Sequence, residues 1–213
     1  MNFTKALSTV TTAFLLTVGA NTAKADTYRY EVKAEIDFSG VDPAILSRAG
    51  LGSSETLYLM MEIDSPQYPN TSSTTHSHTP DQVKFEIGGK TASAPGSTFG
   101  AGGVLGLMAV GDQPLGAFYN DFLGFNIEPR ALPGLPFGDL GKLYIQTRYT
   151  NNTFDSVKLP DSSNFMANLI RTSTGYNSAP HVELYVFRNG PGTGFDWVTA
   201  PIRDIDISVR VSP

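Results

Sequence analysis

The chain has 213 residues, with 15 Lys or Arg against 20 Asp or Glu, a net charge of −5 and no cysteine. The missing cysteine excludes disulfides, Cys-ligated zinc, iron–sulfur clusters, a Cys nucleophile and a lipid-modified Cys. The acidic balance and the lack of any basic cluster argue against a nucleic-acid surface.

Residues 1–25 read as an export signal. Lys5 gives the basic start, Ala6–Ala20 the apolar run, and Ala23-Lys24-Ala25 an A-x-A cleavage site. Asp26 would begin the mature chain, and loss of Lys5 and Lys24 would take its charge to −7. No later stretch holds the roughly 18 apolar residues that a spanning helix needs. The expectation is a protein that is secreted or periplasmic, with no membrane span after cleavage and one domain over 26–213.

The mature chain opens on a strict alternation. Tyr28, Tyr30, Val32, Ala34, Ile36 and Phe38 are apolar, and Arg29, Glu31, Lys33, Glu35 and Asp37 lie between them. Successive strand side chains point to opposite faces, which predicts a strand with one buried and one charged face. Asp42 as cap, Pro43 at the first helical position and Gly50 as stop predict a short helix over 44–49. Leu57, Leu59, Met61 and Ile63 alternate with Tyr58, Met60, Glu62 and Asp64. Both faces are partly apolar there, which suits a central strand.

Ser65–Pro80 reads as a polar loop, and Val83, Phe85 and Ile87 as a strand closing at Gly88-Gly89. Thr91–Gly103 reads as a Gly/Ser-rich loop, with further strands within Val104–Val110 and Ala117–Ile127. Pro129–Gly138 reads as another loop. Strands follow at Leu143–Tyr149 and Val182–Val186. Asn189–Pro201 reads as a loop carrying the lone tryptophan, Trp197. Ile205, Ile207, Val209 and Val211 then alternate with Asp204, Asp206, Ser208 and Arg210, a wet-faced strand like the first. With no long crossover helices, these signals predict an all-β antiparallel sandwich, with a jelly roll as the alternative and at most one or two short helices.

Three patterns resemble the exported all-β domains of PEP-CTERM-type bacterial proteins. They are the opening strand Tyr28–Gly40, the strand Leu57–Pro66 closing in Asp-Ser-Pro, and Asp81–Gly89 ending in Gly-Gly. They cover about the first third of the chain. The resemblance implies extracellular or matrix association and no catalytic residues. That family's Pro-Glu-Pro motif, hydrophobic helix and basic tail are missing here, so its anchoring route is not implied.

Several constellations bear on chemistry. His76 and His78, two apart in an extended segment, point the same way, with Asp64, Asp81 or His181 as a third metal ligand. Two solvated histidines explain the pair more simply. Asp204 and Asp206 have the reach of a glycosidase carboxylate pair but also the look of a wet strand face. Tyr144, Arg148, His181, Tyr185 and Arg188 are the residue types a polysaccharide lyase uses, and also those that strands favour. Asp155, Asp161 and Asn164 offer oxygens to calcium, or simply form turns. Gly100-Ala101-Gly102-Gly103 lacks the helix a dinucleotide loop needs. Trp197, with Phe195 and Asp196, is expected to plug the end of the core, with sugar stacking as the alternative.

No catalytic residue, metal ligand or cofactor is therefore assigned. The expected function is non-catalytic binding or structure, towards glycans or extracellular matrix. A polysaccharide lyase or glycoside hydrolase is the alternative.

Overall fold

The computed structural model describes residues 26–64, 74–95, 106–112, 121–128, 137–154, 156–172, 179–190 and 194–213. The expected signal over 1–25, the Gly100–Gly103 loop and Asp155 lie outside them. The described strands are β1 (Thr27–Asp37), β2 (Ser54–Asp64), β3 (Thr75–His78), β4 (Gln82–Ile87), β5 (Lys90–Pro95), β6 (Gly106–Gly111), β7 (Phe122–Ile127), β8 (Leu140–Arg148), β9 (His181–Phe187) and β10 (Phe195–Ser212). Helix α1 (Pro43–Ala49) joins β1 to β2, and a 3₁₀ turn at Ser163–Asn168 precedes β9.

The all-β antiparallel expectation holds. The strands form one curled sheet in the order β3-β6-β7-β8-β9-β10-β1-β2-β4-β5. From β6 to β10 neighbours in sequence are neighbours in space, a meander rather than the paired Greek keys of a jelly roll. The inward faces of β1, β2, β4 and β7–β10 share one core, including Tyr30, Val32, Leu59, Phe85, Phe125, Ile145, Leu184 and Ile207.

Helix α1 forms where its punctuation places it. Asp42 Oδ1 accepts the Ala44 N–H at 2.8 Å, and Gly50 turns the chain at φ 67°. The carbonyl of Arg48 at its end accepts the Asp139 N–H at 2.9 Å, and the nearby Phe137 ring meets Phe85 at 5.1 Å. Elsewhere on the core's margin, Tyr149, Phe154 and Phe165 form an edge-to-face cluster, and the Tyr30 hydroxyl donates to the carbonyl of Pro160.

Three expectations need correction. Thr91–Pro95, the start of the expected loop Thr91–Gly103, belongs to β5, because the Gly88-Gly89 turn (φ 59° and 69°) sends the chain straight back along β4. Part of the expected loop Ser65–Pro80 is β3, which pairs with β6. Residues 195–201, read as loop, open β10. β1 and β10 pair with each other at the middle of the sheet, and each has the expected wet face, with Lys33, Glu35, Asp204 and Asp206 exposed.

The length of β10 joins the two halves of the sheet. Phe195–Pro201 pairs with β9, and the strand pairs with β1 from Ile202 onward. At the changeover Ile202 faces Ile36 while Asp204 faces Glu35, so Arg203 is an extra residue on β10. Such a bulge reverses which side chains face inward. Before it Ala200 and Ile202 are buried, and after it Ile205 and Ile207 are. The Arg203 guanidinium grips Asp37 Oδ2 at 2.7 and 3.1 Å, tying the bulge to the end of β1.

Candidate functional site

The inverted phase of β10 decides what the surface displays. Continuing the Ile205–Ile207 alternation backwards would turn Phe195 and Trp197 inward. The extra residue turns them out, and Trp197 is 60% exposed and Phe195 50%. The expected core plug is thus overturned: Trp197 is a surface residue. It faces Tyr185 across the strands, with ring centroids 6.3 Å apart and planes 24° from parallel. Phe195 meets the same Tyr185 at 5.2 Å.

Directly paired residues share a sheet face, so the register extends this patch. Lys142, Tyr185 and Trp197 form one row, and Asn126, Tyr144, Glu183 and Thr199 the next. The Lys142 ammonium lies over both the Tyr185 and Tyr144 rings, 5.4 and 5.9 Å from their centroids. The Tyr144 ring lies across Gly124, where an added Cβ would come within 2.2 Å of its hydroxyl. Behind the patch, Asp196 points to the other side of β10. It accepts from Arg188 Nε at 2.9 Å and from Arg48 of α1, which holds its carboxyl below the usual range. That clamp fixes the strand that carries Phe195 and Trp197.

The structure brings four of the five lyase-type residues to one face. Tyr144, Arg148, His181 and Tyr185 all lie on the outward side of β8 and β9, with Arg188 at the strand end beside Asp196. The sheet curls around its core, and this side is the outward one. Their partners are also structural. Arg148 covers the Phe122 ring at 5.0 Å, and His181 holds the Ala179 carbonyl at 3.1 Å with Glu183 3.6 Å from its other nitrogen. Burial pushes the Tyr144 hydroxyl above its ordinary range, away from that of a useful general base.

The remaining candidates do not assemble. His76 and His78 do share a face, with rings 4.6 Å apart, but His78 is buried and its Nε2 donates to the Val157 carbonyl at 3.2 Å. Asp64 and Asp81 are tied to each other's strands, Asp81 Oδ2 accepting the Asp64 N–H at 2.7 Å. Among the described residues no three His, Asp or Glu side chains converge. Asp204 and Asp206 are exposed opposite Glu35 and Lys33. Asp161 and Asn164 rim an open cavity of about 590 Å³ floored by Phe154, Leu159 and Phe165. No helix among the described residues is long and apolar enough to cross a membrane.

The patch of Phe195, Trp197 and Tyr185 is what sequence reading missed as a unit. Its only signal was two aromatics at alternate positions, Phe195 and Trp197, next to Pro201. Comparison with protein-family models, with curated proteins and with solved structures finds no match.

Proposed function

We propose that this protein is exported and binds glycans, or a glycan-rich extracellular matrix, without turning them over. The observation that carries the reading is the exposed Trp197–Tyr185–Phe195 patch. Large apolar side chains left wet and contiguous mark a binding surface. Aromatic faces flanked by Lys142, Glu183 and Thr199 suit a ligand with C–H faces and many hydroxyls, which is the chemistry of sugars. Binding without catalysis fits an outward sheet face whose aromatic rings are open to water.

The test is retention of the purified protein on a panel of immobilised polysaccharides, with product analysis of the supernatant. Retention without release of reducing ends or unsaturated sugars is expected, and Trp197→Ala should weaken it strongly. Release of such products would establish the enzyme instead.

A further inference from the structure

We infer that the ligand of the aromatic patch is a neutral polysaccharide, held as a chain across more than one sugar ring. This rests on the glycan-binding reading above and narrows it. Phe195 and Trp197 occupy alternate positions of one strand, so their exposed rings rise about 7 Å apart along it. The same outward row continues through Thr199 and Pro201, both exposed. A single sugar engages one ring of such a row, whereas a chain engages both and reaches the Thr199 hydroxyl.

Charge sets the class. The cations around the patch are already committed: Lys142 to two tyrosine rings, Arg188 and Arg48 to Asp196, and Arg148 to Phe122. On the patch's own face, between Tyr144 and Thr199, stands the carboxylate of Glu183, which would repel a uronate or a sulfate. The whole chain, at −5, adds to that repulsion at long range. A neutral chain meets none of these costs. Its hydroxyls can accept from Thr199 and donate to Glu183.

The test compares the full chain on neutral polymers (cellulose, chitin, β-1,3-glucan, mannan) and acidic ones (alginate, polygalacturonate, a sulfated galactan) at low and high salt. We expect retention on a neutral polymer that salt leaves unchanged and that free monosaccharide does not reverse. Trp197→Ala and Phe195→Ala should each weaken it about tenfold or more, and Trp197→Phe much less. Unchanged near-ultraviolet circular dichroism of Phe195→Ala, and an unchanged thermal melt of all three variants, keeps loss of fold out of the result. Salt-sensitive retention on acidic polymers alone would overturn this inference while leaving glycan binding intact. No retention on any polymer would overturn both. If Trp197→Ala instead changed only the sedimentation coefficient of the protein, the patch would be a contact between copies of the chain and the inference would fall.

Discussion

His78 shows how burial at one residue becomes a property of the whole chain. It is 3% exposed, and burial, with His76 adding to it, pulls its pKa from 6.5 to about 4. Between those values the unfolded chain binds a proton that the folded one refuses, so stability falls as pH drops from 6.5 to about 4. Urea melts across that range should show the slope, and His78→Gln, which keeps a donor for the Val157 carbonyl, should flatten it. Asp121 is a second buried group with a defined task. Its Oδ2 accepts the N–H groups of Thr153 and Phe154 at 2.8 and 3.0 Å. Asp121→Ala should lower unfolding free energy by roughly 1.5–3 kcal/mol or more, since hydrogen bonds to a charged group are lost and a buried N–H is orphaned. Neither role was legible in the sequence, because both depend on what packs above the side chain. The same is true of Trp197. Burial of an indole is ordinarily favourable, and only the phase of β10 decides that this one is wet.

The elements themselves were largely legible where one rule governs. Strict alternation marked β1 and the far half of β10, and cap, proline and stop marked α1. The rest depended on partners. β5 holds little apolar sequence and is a strand because the Gly88-Gly89 turn delivers it to β4. β3 is four residues long and exists through β6. Phe195–Pro201 defeated the alternation rule because the extra residue at Arg203 inverts it. That bulge is tied down by Asp37, whose carboxyl is held at about 2 by hydrogen bonds from Ser39 and then from Arg203. Arg203→Ala should therefore reduce polysaccharide retention from a distance, with the exposed Trp197 itself unaltered. Helix α1 depends on a tight approach at Gly138, at φ 55°, where an added Cβ would sit 2.2 Å from the Arg48 carbonyl oxygen. Gly138→Ala should destabilise by roughly 1–3 kcal/mol, measured by chemical denaturation, since both the backbone conformation and the space require glycine.

At the scale of the molecule, the described residues form a ten-stranded sheet curled over one core, and the long β10 carries the continuity between its halves. The wet outer face around β1 bears interleaved charges, including Arg29 between Glu31 and Glu62, whereas the outer face around β9 adds to its charges the contiguous rings of Tyr185, Phe195 and Trp197. That asymmetry is the physical ground for placing binding on one side. If residues 1–25 are the export signal proposed above, the protein recovered from culture medium or periplasm should begin at Asp26 on N-terminal sequencing. An intact Met1 on the recovered protein would contradict cleavage.

The chain contains a single tryptophan, so its emission reports the patch directly. The measurement is intrinsic fluorescence and iodide quenching of the native protein, alone and with the soluble form of each neutral polysaccharide. The account predicts a red-shifted, readily quenched Trp197 in the free protein, and a blue shift with protection from iodide when a polysaccharide chain is added. An indole that is already blue-shifted and shielded in the free protein, or one that no polysaccharide protects, would contradict it.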